Sequence, residues 1–389
     1  MLINALPERN EAAISTKAVR GNDSYRLRGE LVPPRRRMYP LHDCSLSASE
    51  ERRFLIEERF LPGIETFGSP VPLSGHPIFD RAVQERLIAP IWQRAYRLQG
   101  DIAVSGNRGL VYLDGRLFRP SAAEKRPPHN HMIKKWTIQS RSRRPDCLEL
   151  DRVLLVRHVF GHIYFHTYHD LMSKIVWADE LGIDPEIPIV VDAKWARGHY
   201  GKHFVTTTLM SGRKVYFHEW DQTLRCNELY WLKPPQFHRP HLDAVANSFE
   251  EHKPDNPPGP HIVLTREKKT HDDRFCEDMN VLRAHLTDKG YFAIDPADFT
   301  IPEQKWIFSR AEHVVAENGS ALTNAIFRRN PTLRIDAIIG AGAATTTFQA
   351  LSSVYGFDIR SHIVESVREG KVTRIVLDRE TAKRISDAA

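Results

Sequence analysis

HVVAENGSALTNAIF, residues 313–327, changes character at one point: an apolar run gives way to Asn318-Gly319, and a helical pattern opens at Ser320. Strand, tight turn and helix make a βα unit, and the flanking sequence repeats it. Upstream, HIVLT (261–265) reads as a short buried strand. EDMNVLRAHLTDKG (277–290) reads as a helix, with Met279, Leu282 and Leu286 at helical spacing and Gly290 as its stop. YFAIDP is a second strand closed by Pro296, and PEQKWIFSRA starts a helix with Pro302 in its first turn. Downstream, LRIDAII supplies a fourth strand. Strands alternating with helices of this length predict a parallel sheet with helices on both faces.

Working back toward the N-terminus, EEHKPDNPPGPH (250–261) holds four prolines and a glycine, so it is neither helix nor interior strand and reads as a linker. Before it, DRVLLVRHV (151–159) and IPIVVDA (187–193) look like buried strands. A helix beginning within FGHIYFHTYHDL (160–171) and running to Gly182 joins them into a βαβ unit. KVYFHEW (214–220) adds a strand. The prediction is an α/β protein of two Rossmann-like domains facing across a cleft. An irregular extension covers 1–75, one domain 76–250, a linker 251–261 and the second domain 262–389.

The 389 residues are 41% hydrophobic and 27% charged, ordinary for a soluble protein of two domains. No run approaches the roughly 18 apolar residues of a spanning helix, and the N-terminus shows no basic region followed by an apolar core. Cys44, Cys147, Cys226 and Cys276 form no CxxC pair, which fits a reducing compartment and a cytoplasmic location. The formal net charge is +6, and PPRRRMYP (33–40) and QSRSRRPD are short basic clusters. They suit solvated loops or peripheral contact with anionic lipid headgroups on a membrane's inner face. Their context is not that of a nucleic-acid reader, so no nucleic-acid partner is expected.

Two sites carry chemistry. At the Gly319 turn, the unpaired N–H groups opening the helix at Ser320 and Ala321 suit a diphosphate. Gly319 allows close backbone approach, and Asn318, Thr323 and Asn324 can add hydrogen bonds; the alternative is that Ser320 merely caps an ordinary βα loop. Arg266 closes the strand HIVLTR and is a candidate phosphate clamp, with Arg274 following in a charged loop; a surface ion pair is the other reading of Arg266. In FGHIYFHTYHDL, His162, His166 and Asp170 fall four apart, with His169 close to the same stripe. That cluster can hold a metal, form a proton-transfer dyad from His166 and Asp170, or cap a buried helix. It lacks the HExxH arrangement, so no metal site is expected. PHNHM (128–132) holds another histidine pair, without a nearby carboxylate, and reads as a loop.

In order, these pieces resemble glycosyltransferase family 61. Its aromatic-aromatic-His-Trp-x-x-Asp segment, opening a helix with a Gly-Leu/Ile-Asp exit, is matched by YFHTYHDLMSKIVWADELGID, with His166 and Asp170 in register. A strand ending in Arg, a charged segment and a helix leading to Gly-Tyr/Phe…Pro are matched by VLTREKKTHDDRFCEDMNVLRAHLTDKGYFAIDP. The Phe-Ser-x-Ala-Glu turn and the strand into Gly-Pro-His-Gly-Ala-x-Leu-Thr-Asn are matched by EQKWIFSRAEHVVAENGSALTNAIF. Thr167 replaces the usual tryptophan, Ile163 a common asparagine, and Glu317-Asn318 the Pro-His before Gly319.

The resemblance covers about residues 150–340. It implies a GT-B-like architecture, with the acceptor-side domain first and the nucleotide-sugar domain second. It also implies inversion at the anomeric carbon, no required metal and no cofactor. The donor would be a nucleotide-sugar, a UDP-sugar first among them. The acceptor would be a glycan or glycolipid such as capsule or exopolysaccharide. Asp170, ahead of His166, is expected to be the base. Arg266, Arg274, Asn318, Gly319, Ser320, Ala321, Thr323 and Asn324 are expected to hold the donor. The alternative is a non-catalytic carbohydrate- or nucleotide-binding protein of the same fold.

Overall fold

Buried strands in parallel sheets are apolar on both faces, and Arg152–Val156 and Ile189–Asp192 are of this kind. The structure is a computed structural model that describes residues 45–389 except 62–63, 66–86, 89–90, 107–108, 123–146, 159–160, 235, 266–273, 277–278, 330–331, 342–346, 370–371, 378 and 389. Pro40–Ala389 form one compact unit, and Met1–Tyr39, the other unit, lie outside the described residues.

The two buried strands sit in a nine-stranded sheet in the order Val215–His218, Ile189–Asp192, Arg152–Val156, Thr223–Lys233, Ile91–Ser105, Val111–Leu113, Arg116–Leu117. The first four of these seven run parallel and the other three are antiparallel to their neighbours; of the two strands off this path, Cys147–Glu149 pairs parallel with Thr223–Lys233. Only the parallel part is Rossmann-like, so the domain expected over 76–250 is a mixed sheet. Part of the extension expected to be irregular is also ordered. Ser47 and Glu50 form a capping box on the short helix Ala48–Arg52. Leu55–Leu61 then pairs antiparallel with Ile91–Ser105. Phe54 and Leu55 pack on the cluster around Tyr96, Phe118 and Trp231, whose rings meet edge-to-face at 5.0–5.8 Å. That packing holds the segment in place.

The second half matches the predicted alternation closely. The five strands of its main sheet are all parallel, in the order Phe292–Ile294, His261–Leu264, His313–Glu317, Arg334–Gly340, Asp358–Val364. Numbered along the chain this is 2-1-3-4-5, so the winding reverses between His261–Leu264 and His313–Glu317. A feature absent from the sequence reading is a three-stranded sheet of Arg274–Cys276, Val372–Ile375 and Ser366–Glu369. Arg274 thus opens a strand rather than lying in a loop.

Side chains alternate between strand faces, and the alternation sorts them into distinct cores. Val153, Leu155 and Val190 join the cluster of Tyr96 and Trp231. Val263, Val315 and Ile338 pack with Leu282, Leu286 and Ile385 from the helices Met279–Asp288 and Arg379–Ala388. Leu154, Val156, Ile189 and Val191 of the first sheet share a cluster with Ile262, Leu264, Val314 and Ala337 of the second. Both sheets are therefore fused through a common core across the proline-rich stretch at 250–261.

Inside the second sheet Asp336 is fully buried, and its carboxylate accepts from His313 Nε2 (2.6 Å), His362 Nε2 (2.7 Å) and Arg334 (2.8 Å). Burial opposes its ionisation, but these partners win and hold its pKa well below the usual carboxylate range. Stability from a depressed carboxylate is fully present above its unfolded pKa, near 3.9, and is lost as pH falls through the folded value. Asp336→Asn should cost about 3 kcal/mol at neutral pH. In urea titrations the gap to the wild type should narrow below about pH 4.

Candidate active site

The helix that begins in FGHIYFHTYHDL is buried on all sides from Tyr164 to Ala178, because it lies in the core shared by both sheets. Its first turn, Tyr164–His166, is α-helical; Thr167–Met172 widens into a π turn, and Ser173–Glu180 returns to α. Ser173 Oγ, bonded to Tyr168 O five residues back (2.9 Å), marks the widened turn. Thr167 Oγ1 receives the Trp195 indole N–H at 3.1 Å. π turns of this kind concentrate at functional sites, and this one carries Asp170.

His166 Nδ1 lies 2.5 Å from Asp170 Oδ2, and both residues are buried. The Gln236 amide donates to the two Asp170 oxygens at 3.0 and 3.2 Å. The His158 ring stacks on His166 with centroids 4.8 Å apart and planes at 23°. Burial raises the Asp170 pKa, yet the charge of His158 and the hydrogen bonds from His166 and Gln236 outweigh it and hold the group well below the carboxylate range. His162 is exposed and precedes the helix, so it does not join this stripe. His169 is buried, its Nδ1 accepting the Phe237 N–H at 3.3 Å.

His158, His166 and Asp170 are the one group among the described residues with metal-ligand spacing, each atom within 4.8 Å of the others. Two imidazoles and a carboxylate in this arrangement offer ligand atoms to an ion and sites for a proton alike.

Each parallel strand of the first sheet passes into a polar residue at its carboxyl end. Arg157 bonds Asp192 (2.6 Å), His218 Nδ1 (2.6 Å) and Gly106 O (2.7 Å). Burial and the adjacent Arg157 guanidinium push the His218 pKa down to about 3, so its ring is neutral and accepts through Nδ1. Asp192 also caps the helix Ala193–Arg197 through the Trp195 N–H (2.9 Å). Sequence reasoning missed this knot and His158, although the signal was there: each apolar run ends in a charged or imidazole residue. Gln236 had no such signal.

On the second sheet, the predicted donor residues divide. Gly319, not Ser320, is the cap position, with extended backbone and no side-chain cap, ahead of the 3-10 helix Ser320–Phe327. Gly319, Ser320 and Ala321 are half-buried and follow the strand His313–Glu317 at the winding reversal. Asn318 is buried, and its N–H extends the strand pairing to Ile338 O (2.8 Å). Thr323 and Asn324 are fully buried. Asn324 is occupied: its Oδ1 accepts from Tyr164 (2.6 Å) and its Nδ2 donates to Gln304 Oε1 (2.7 Å). Gln304 in turn donates to Pro296 O and Phe299 O at 2.8 and 2.9 Å. Asn324 therefore fastens the 3-10 helix Ser320–Phe327 to the helix of His166. Arg266 and the pair at 128–132 lie outside the described residues, as does the Arg274 side chain. Asn324→Ala strips two buried hydrogen bonds and should cost about 2 kcal/mol of unfolding free energy in urea.

Residues 164–335 match the protein family described as Glycosyltransferase 61. No curated protein matches the chain. The matched span opens at Tyr164, two residues before His166, and closes at Ile335, beyond the Gly319 turn. It thus contains both the His166–Asp170 pair and the Gly319 turn. The chain carries a glycosyltransferase family 61 domain, and the protein is a glycosyltransferase.

Proposed function

We propose that this glycosyltransferase is an inverting, metal-independent enzyme that moves a sugar from a nucleotide-sugar, a UDP-sugar first among them, to a glycan hydroxyl. The acceptor would be a growing capsule, exopolysaccharide or glycolipid glycan. The observation carrying this reading is the His166–Asp170 contact of 2.5 Å within the family-matched segment. Inversion by direct displacement needs one base to take the acceptor proton and one pocket to hold the departing diphosphate.

Between the two residues, the base is His166. Both oxygens of Asp170 are already taken up, Oδ2 by His166 Nδ1 and the pair by the Gln236 amide, which leaves the carboxylate a poor acceptor for a further proton. Held against Nδ1, it instead fixes the imidazole with Nε2 as the basic nitrogen and stabilises the imidazolium that forms. The transfer balances simply. The acceptor oxygen attacks the anomeric carbon as its proton passes to His166 Nε2, and the bond to the diphosphate oxygen breaks with that oxygen keeping the electron pair.

The leaving diphosphate is assigned to the amides of Gly319, Ser320 and Ala321 at the winding reversal, where open α/β sheets bind ligands. Arg266 and Arg274 follow the strand His261–Leu264 in the chain and are proposed to supply its cationic partners. In this reading the two sheets act as the acceptor and donor halves of a GT-B-like enzyme, working without a cofactor at the cytoplasmic face of a membrane.

Purified protein incubated with UDP-, GDP- and CMP-sugars should release nucleotide with one of them, and EDTA should leave the rate unchanged. Asp170→Asn and His166→Gln should each lower kcat by about 10²–10⁴-fold. Near-normal turnover of His166→Gln removes the base assignment. The productive nucleotide should also raise the melting temperature, by about 2.7 kcal/mol of stabilisation at a hundredfold excess over Kd.

A further inference from the structure

Asp170 has two carboxylate oxygens, and only one faces His166. Oδ2 meets His166 Nδ1, while Gln236 Nε2 bridges Oδ1 and Oδ2 at 3.0 and 3.2 Å. A carboxylate tied on one side alone can rotate about its terminal torsion, which is broad and roughly two-fold. The amide on the other side removes that freedom. Gln236 comes from a different part of the fold, the turn between the strand Thr223–Lys233 and the helix Arg239–Asn247.

The turn itself is set in place at its next residue. Phe237 adopts φ 61°, the left-handed region that a bulky side chain rarely enters. Its N–H donates to His169 Nδ1, and its ring packs against His169 and Phe165 at 5.0 and 5.8 Å. Two consecutive residues of one turn thus grip two consecutive residues of the π turn: Gln236 holds Asp170, and Phe237 holds His169. Strained backbone persists where its surroundings over-determine it, and such places cluster at functional sites. The titratable groups facing Asp170 are His158, from beyond the strand Arg152–Val156, and His166, on its own helix. Gln236 is the uncharged third partner, able to orient the carboxylate without changing the charge balance.

We propose that Gln236 is a positioning residue that locks the Asp170 carboxylate onto His166 Nδ1, and so holds His166 in the Nδ1–H tautomer, with Nε2 unprotonated. Its catalytic consequence rests on His166 being the base. The tautomer itself is readable with no substrate present, so the two readings fail separately.

The test is histidine-selective nitrogen-15 NMR on the full chain, with the His166 signals assigned by their loss in His166→Gln. Above the pH of its protonation, wild-type His166 is expected in a single Nδ1–H form. Gln236→Leu removes the donor, and Gln236→Glu removes it while keeping the side-chain length and adding a like charge. Both should convert His166 to a mixture of Nδ1–H and Nε2–H forms, as should Asp170→Asn. The melting temperature identifies which variants are folded. A single Nδ1–H form surviving in either folded Gln236 variant overturns the inference. A tautomer mixture in the Gln236 variants alongside normal turnover of His166→Gln would leave the positioning role standing and remove the base.

Discussion

A helix buried on every side has no solvent to satisfy its polar atoms, and the segment from Tyr164 to Ala178 lives under that constraint. It carries a tyrosine pair, two histidines, an aspartate, a threonine, a serine and a lysine into a core shared by two sheets. Their partners come from all around it. Tyr164 is bound by Asn324 of the second sheet's 3-10 helix, Thr167 by Trp195, and Asp170 by Gln236. Lys174 donates to the Arg157 carbonyl at the end of a strand in the first sheet. Satisfying this one helix therefore ties together the strand ends that make the site. The geometry of the His166–Asp170 pair is inherited from the core.

The same constraint explains why the two halves are not held together by the proline-rich stretch alone. Leu154 and Val156 on one sheet, and Ile262 and Leu264 on the other, bury against a common cluster. Lys305, buried in the helix Ile301–Arg310, donates to Ala246 O and Phe249 O just before that stretch. Apolar contact and a satisfied ammonium reinforce each other at the seam. A site assembled there gains rigidity, which preorganised catalysis requires.

Much of the second sheet was legible in the sequence because it obeys local rules. Thr300 and Glu303 form the capping box on Ile301–Arg310, with Pro302 in its first turn. Gly290 takes a positive φ at the end of its helix, as the pattern required. The His166–Asp170 pair was legible for a similar reason, since four-residue spacing on a helix brings side chains together even through a π turn. The partner of Asn324 was not legible, since nothing local reveals that Tyr164, 160 residues away, bonds it. The mixed first sheet was harder to see. Its antiparallel strands reach the parallel core through pairings such as Tyr230 with Arg97, which no local pattern specifies.

By itself the sequence determined the βα alternation, the parallel sheet of the second half and the four-residue spacing of His166 and Asp170, because propensity, capping and periodicity act over a few residues. Only the tertiary structure decided which polar groups are occupied and which remain for chemistry. It gave Asn324 to Tyr164, placed His158 on His166, and brought Gln236 to Asp170. Those choices depend on desolvation, which is set by everything packed around a group and not by its neighbours in the chain.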